Sequence, residues 1–485
     1  MISRKTISRY IGMLIILEGL LLSLCLIVAF YYGETQIRTF GITAILSLVL
    51  GCSLYYSCYN SRRNPNRREA YFIVAIVWIV FSLIGMTPFL LSGFCDSVST
   101  AFFEAMSGFT TTGVSAMNNI DQLPHSLLFW RSLTHWIGGL GIVFFTITLL
   151  PNNLQGGSQL LSAEKIGLST EKVHPRSSTT AKWLWSLYAF LTIVCTLCLW
   201  GCGMTLFDSL NFAMSTLATG GFAPRANGIL YYDLPCAEVV LSIFMLIAGL
   251  NFTLLYLAIF KHKVKALFKN EELRFFLVLV MSLGILCTIS LITYNQYSPL
   301  HAVRVAFFNV ISLQTTTGFV SDNYALWFPP MWLIILMLNM MGACAGSTTG
   351  GLKAVRILIV FKTASCQFKR LLHPNAMIPV RVNKVPVYES TEHVLLTYFV
   401  LFFILIISGT IAFETMGLPL LDSTNLAISC VANIGPISGH TFGPLDDLNA
   451  LPAIAKWLCS FLMLAGRLEI FSVMLPLTAA FWKND

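Results

Sequence analysis

Ten apolar runs punctuate the chain, at 11–31, 40–58, 71–92, 130–150, 183–204, 239–260, 275–294, 332–361, 394–415 and 454–482. Each is long enough to cross about 30 Å of hydrocarbon as a helix. The pattern therefore predicts an all-α integral membrane protein with ten transmembrane helices. The first run is too long for a signal-peptide core, lacks a small-residue cleavage site and is followed by another span, so it reads as a retained anchor.

Four shorter, partly polar segments interrupt this rhythm, and they resemble one another. Two read Phe109-Thr110-Thr111-Thr112-Gly113-Val114 and Gln314-Thr315-Thr316-Thr317-Gly318-Phe319. Two weaker copies are Leu217-Ala218-Thr219-Gly220-Gly221-Phe222 and Val431-Ala432-Asn433-Ile434-Gly435-Pro436. Aligning the four on Gly113, Gly221, Gly318 and Gly435 places Ser107, Ser215, Ser312 and Ser429 at one common offset, which played no part in the alignment. A repeat this long marks a duplicated structural unit. Each copy lies between two spans, which predicts a half-length helix that enters and leaves the membrane on one side. The resulting plan is two extra N-terminal spans (1–70) followed by four span, re-entrant loop, span units at 71–180, 181–272, 273–385 and 386–485, arranged pseudo-fourfold around one pore.

Composition and charge sharpen this picture. The chain has 485 residues, of which 56% are hydrophobic and 11% charged, against about 25% charged in soluble domains. The net charge of +8 raises the question of nucleic acid, but its distribution answers otherwise. With both termini in the cytoplasm, the segments on that side, with the two ends included and the third unit's counted from Lys353, hold 24 of the 30 Lys and Arg, as the positive-inside rule requires. All four re-entrant segments then open outward. The 13 cysteines are scattered, mostly within apolar runs, and have no metal-ligand spacing, so we expect neither zinc nor a disulfide framework. The connector 363–392, with Pro374, Pro379 and Pro386, is the longest cytoplasmic loop and a candidate docking surface.

Non-helical backbone at membrane depth is tolerated where it is buried in protein or lines a water-filled path. Four such loops around one axis make a filter, with Thr111, Thr112 and Gly113, Thr219, Gly220 and Gly221, Thr316, Thr317 and Gly318, and Asn433, Ile434 and Gly435 as the residues whose carbonyls replace a cation's hydration shell. Glycine permits the backbone angles this needs. The half-helices aim the negative ends of their dipoles at the centre, which favours a cation. Asp208 and Asp422 are N-cap candidates for two of them, with Asp96 or Thr100 and Ser298 for the others. The repeated serines, and Glu104 and Asn309 at a second shared offset, are expected to hydrogen-bond the loops from behind.

The Thr-Thr-Thr-Gly loops, the Ala218-Thr219-Gly220-Gly221-Phe222 variant, Asn433-Ile434-Gly435-Pro436, Trp136-Ile137-Gly138-Gly139-Leu140-Gly141 and Gly466-Arg467-Leu468-Glu469 together resemble the superfamily of Trk, Ktr and plant HKT potassium transporters. The ten-span form is most similar to the TrkH/TrkG-type membrane subunits of bacterial Trk systems. The resemblance implies a homodimer in the bacterial inner membrane, with one pore per protomer conducting K⁺ and Rb⁺, and Na⁺ more weakly. It also implies regulation by a TrkA-type cytosolic nucleotide-binding ring, with no cofactor in this chain and K⁺ as the transported ion. Serine at the first filter glycine accompanies sodium transport in this superfamily. All four positions are glycine here, which favours K⁺, while Asn433 and Ile434 make the fourth loop depart from the others.

The third unit's inner span is interrupted by small residues, including Gly346, Ser347, Thr348, Thr349, Gly350 and Gly351. So many cannot sustain a rigid helix, and a loop just below the filter is a natural gate, in agreement with the resemblance. The alternative is close helix packing through small residues. Gly346 and Gly351 have Walker spacing, but Leu352 stands where lysine is required, so a phosphate loop is excluded. Arg467 lies within the last span, where a charge belongs only on a polar interior. It reads as an electrostatic barrier and a partner of the gating loop, or alternatively as a partner of Glu469. No nucleophile or proton-relay pattern points to an enzyme. The competing transport mechanism is an H⁺- or Na⁺-coupled symporter.

Overall fold

A computed structural model describes residues 3–59, 65–149, 177–262, 264–439 and 441–482. Most of the basic segment expected between Lys165 and Lys182 lies outside them. Among the described residues, six helices are long and apolar enough to cross a membrane: Arg4–Tyr31, Ile37–Ser57, Arg68–Leu91, Trp183–Gly201, Glu271–Thr293 and Glu389–Thr415. Their outward faces carry exposed apolar side chains such as Leu20, Ile27, Ile45, Ile193, Ile285 and Ile404, as a lipid-facing surface requires. The fourth expected run is one helix, His125–Leu149.

Three expected spans are broken instead of continuous. The run 332–361 divides into Met331–Met340 and Ala354–Leu372 around a loop at 341–353, as the small residues predicted. The runs 239–260 and 454–482 were expected to be straight, and this is corrected. Pro235–Ala248 and Phe252–Phe260 meet at 104°, and Ala453–Arg467 and Phe471–Leu477 at 115°. Asn251 starts the second segment of the first pair by accepting from the N–H groups of Thr253 and Leu254. At the other break Glu469 and Ile470 both have left-handed φ angles, 57° and 55°. A β-branched residue in that region costs on the order of 1–3 kcal/mol, and surrounding contacts must hold it there.

Four half-length helices, Val98–Phe109, Leu206–Ala218, Pro299–Gln314 and Leu420–Ala432, are buried between the long ones. Their expected caps need correction. The hydroxyls of Ser97 and Thr205 cap the first two, by accepting from the N–H groups of Thr100 and Asp208. Ser298 holds the cap position of the third without a side-chain bond, and Pro419 that of the fourth. Asp208 and Asp422 sit within the first turn, where their charge still favours the positive end of the dipole.

The N-terminal pair packs as an antiparallel hairpin in which Gly12 and Gly51 allow backbone-to-backbone approach; a Cβ on Gly12 would stand 2.9 Å from the Gly51 carbonyl oxygen. Its turn is tied to the rest of the chain through Glu34, whose carboxylate accepts from the N–H groups of His125 (2.6 Å) and Ser126 (3.1 Å) at the start of the helix His125–Leu149. The connector is more ordered than a loop. Helix Ala354–Leu372 runs into it, and a short ladder pairs Arg381–Val382 with Val385–Pro386. The expectation of no disulfide is also corrected: Cys202 and Cys236 are bonded, joining the end of the helix Ser177–Gly201 to the start of Pro235–Ala248.

Candidate functional site: a ring of four glycine loops

Each half-helix ends in a loop with the same backbone signature. Thr111, Thr219, Thr316 and Asn433 have φ between 51° and 54°, and the glycine two residues later is also left-handed, at 81° for Gly113 and Gly318, 85° for Gly221 and 106° for Gly435. In an extended strand, neighbouring residues point to opposite sides. Repeated left-handed residues break that alternation and allow neighbouring carbonyls to share a side.

The loops touch in a closed order. A Cβ added to Gly113 would collide with the Gly220 carbonyl oxygen, one on Gly221 with that of Thr317, and one on Gly318 with that of Ile434. One on Gly435 would lie 2.7 Å from the Thr112 oxygen, which returns to the first loop. At each step the carbonyl just before one glycine abuts the preceding glycine. A cavity of about 110 Å³ on the other side is lined by all four glycines, together with Arg131, Asp446 and Asp447.

The repeated serines support the loops as the pattern predicted. Ser107 Oγ donates to the Val114 carbonyl (2.6 Å), Ser312 Oγ to that of Phe319 (2.6 Å) and Ser429 Oγ to that of Gly435 (2.7 Å). Ser215 differs, meeting His135 Nδ1 at 3.1 Å. That ring stacks on Phe222 and fills the space where Gly220 has no side chain. Asn309 bonds Ser321 Oγ at 3.0 Å. Glu104 accepts from the Ala116 N–H (3.1 Å) and pairs with Arg131 Nε (2.8 Å). Arg131 also reaches the Ala223 carbonyl and lies over the Phe222 ring, so one buried cation ties the first loop to the second. The sequence reading missed Arg131 and His135. Ionisable residues one helical turn apart inside an apolar run are themselves a signal.

The loops alternate in chemistry. Thr110 and Thr315 hydroxyls meet those of Thr112 and Thr317 at 2.8 Å, where the second and fourth loops have Ala218 and Ala432. In the fourth loop, Asn433 Nδ2 instead donates to Thr112 Oγ1 and the Met463 carbonyl, each at 2.9 Å. Outside the ring, burial and the adjacent Asp208 carboxylate push the Tyr232 phenol well above its usual range.

The loop 341–353 lies against this ring. Its ends are drawn together, with Gly342 N–H donating to the Leu352 carbonyl (2.8 Å) and Ala354 N–H to that of Ala343 (2.9 Å). Gly350 N–H donates to Thr316 Oγ1 (2.8 Å), Thr348 Oγ1 donates to the Leu217 carbonyl (3.0 Å), and a Cβ on Gly350 would collide with the Ala432 oxygen. Three of the four loops are thus contacted by it. Ser347 Oγ, Thr349 Oγ1 and Lys353 Nζ brace the loop internally, the lysine by donating to the Thr349 carbonyl. Gly346 and Gly351 take left-handed φ angles of 74° and 63°.

Arg467 completes the contact. Its guanidinium donates to the Thr348 carbonyl (2.8 Å) and to that of Gly138 (3.1 Å), and it is 2% exposed. A Cβ on Gly138 would collide with the Phe109 carbonyl oxygen and crowd Thr111 of the first loop. Glu469 pairs with Arg356 at 2.6 Å, so the alternative of an Arg467–Glu469 pair gives way to carbonyl partners. The break at 249–251 also braces the loop 341–353: Asn251 Nδ2 donates to the Ala345 carbonyl (2.6 Å), Phe252 N–H to that of Gly346 (3.1 Å), and Cys344 N–H to that of Gly249 (3.0 Å).

Comparison with known proteins agrees with this architecture. The family described as TrkH, cation transport protein, matches residues 36–483. The chain is 34% identical over 485 residues to the Trk system potassium uptake protein TrkH of Escherichia coli K12, covering 99% of both. It is 32% identical to the Trk system potassium uptake protein TrkG of the same strain, again covering 99% of both. The crystal structure of the potassium transporter TrkH from Vibrio parahaemolyticus superposes with a TM-score of 0.91 at 30% identity, over 99% of this chain and all of that one. The chain belongs to the TrkH family of cation transport proteins.

Proposed function

We propose that this protein carries K⁺ into the bacterial cell across the inner membrane, through one pore formed by four span, re-entrant loop, span units (71–180, 181–272, 273–385 and 386–485) behind an N-terminal pair of helices at 1–70. Ten helices cross the membrane in this reading, three of them broken, and both termini are cytoplasmic. The observation that carries it is the closed succession Gly113, Gly221, Gly318, Gly435, each glycine abutting a carbonyl of the next loop. A ring too tight for any side chain presents only backbone oxygen, the chemistry that replaces a K⁺ hydration shell. The names of the E. coli relatives support K⁺ as the ion.

The 341–353 loop is the gate, and Arg467 latches it while placing a positive charge on the pathway. A homodimer and a TrkA-type cytosolic nucleotide-binding ring complete the system. Inward movement follows the membrane potential, about 2.3 kcal/mol per charge per 100 mV.

The test is ⁸⁶Rb⁺ uptake into liposomes containing the purified protein, driven by an imposed negative potential at equal pH and without Na⁺. Uptake that follows the potential is expected. Uptake that appears only with a proton or sodium gradient would replace the channel-like pathway with a coupled symporter.

A further inference from the structure

The helix Glu271–Thr293 begins with two adjacent carboxylates that face opposite partners. Glu272 is buried, and its carboxylate accepts from the Ala345 N–H at 2.5 Å. Ala345 lies in the entry of the intramembrane loop, so this side chain grips the loop by its backbone. Its placement is fixed by Asn270, whose side chain accepts from the N–H groups of Glu272 (2.9 Å) and Leu273 (3.2 Å).

Glu271 turns the other way. Its N–H, one of the donors that a helix start leaves without an internal partner, is taken by Asn383 Oδ1 at 2.8 Å. Asn383 is the turn residue between the paired strands Arg381–Val382 and Val385–Pro386, with φ 50°. The Glu271 carboxylate pairs with Lys362 Nζ, which also donates to the Arg381 carbonyl (2.8 Å). Neither tie is a surface ion pair alone, which by itself is worth little; each ends on backbone.

We propose that Glu272 is the positioning residue that holds the 341–353 loop closed, and that Glu271 makes its grip depend on the cytoplasmic hairpin at 381–386. The proposal rests on reading that loop as the gate. A partner that pulls on the hairpin displaces the first turn of this helix, and the clasp moves with it. Stiff backbone connects the two carboxylates, so the coupling needs no long chain of soft side-chain contacts.

The experiment is hydrogen–deuterium exchange across 341–355 in detergent-solubilised full-length protein, paired with ⁸⁶Rb⁺ uptake by the same variants in liposomes. Glu272→Ala is expected to speed exchange in the loop about tenfold or more, the loss of a hydrogen bond to a charged acceptor, and to raise basal uptake. Glu272→Gln, which retains one acceptor oxygen, should fall between. Lys362→Met with Asn383→Ala touches no loop residue, yet is expected to speed loop exchange about two- to tenfold. If that double variant changes exchange only within 381–386, the coupling is overturned while the clasp stands. If Glu272→Ala leaves loop exchange unchanged in a folded protein, the clasp is overturned. Faster loop exchange with unchanged uptake would instead overturn the reading of this loop as the gate.

Discussion

Arg467 shows how one residue's surroundings determine its role. An arginine within a span costs about 2.5–3.5 kcal/mol on insertion scales, and here the cost is offset by two carbonyls, of Thr348 and Gly138. No carboxylate pairs with it among the described residues, so no ion pair neutralises its charge there. Arg467→Ala removes both the charge and the hold on Thr348. Charge-assisted bonds contribute about 1.5–3 kcal/mol each, so basal ⁸⁶Rb⁺ uptake should rise about tenfold or more. Arg467→Lys, which keeps the charge but not the fork, should give a smaller rise. Unchanged uptake by a protein that still folds would remove Arg467 from the gate. The sequence drew attention to this residue, because a charge in the middle of an apolar run admits few explanations. It did not reveal the partners, which lie 119 and 329 positions away.

At the scale of elements, hydropathy located the six continuous spans, and the common serine offset anticipated three of the four supports behind the loops. The breaks at 249–251 and 468–470 were not legible. Their residues include Leu250 and Ile470, which suit a continuous span, and the interruption comes from tertiary bonds such as Phe252 N–H to the Gly346 carbonyl. The break in the third unit was legible because its small residues could not sustain a helix. The Cys202–Cys236 bond was hidden for a similar reason, since 34 positions separate the partners and neither belongs to a spacing motif. It staples two helices that flank the second half-helix. Loop-closure entropy for that separation is about 3–4 kcal/mol, so Cys202→Ala with Cys236→Ala should lower the thermal midpoint in detergent, and reductant should lower that of the wild type to match. Equal midpoints in all three samples would show that the bond carries no stability.

The whole molecule is organised by the contact between four loops that come from distant parts of the chain. Each supplies one glycine whose missing side chain makes room for its neighbour, so a substitution in one loop is felt by two. The pairs also alternate, with threonine, glutamate and asparagine supports in the first and third units and apolar residues at those offsets in the second and fourth, so the ring has the character of two unlike pairs. Selectivity for K⁺ is therefore the claim on which the account depends, and Gly113 is the place to test it. At φ 81° and against the Gly220 oxygen, serine strains the backbone and displaces the second loop. The decisive measurement is competition of ⁸⁶Rb⁺ uptake by unlabelled K⁺ or Na⁺ in liposomes, wild type beside Gly113→Ser. K⁺ is expected to compete far better than Na⁺ in the wild type, and the substitution to erode the difference. A conducting Gly113→Ser protein with an unaltered preference would contradict it.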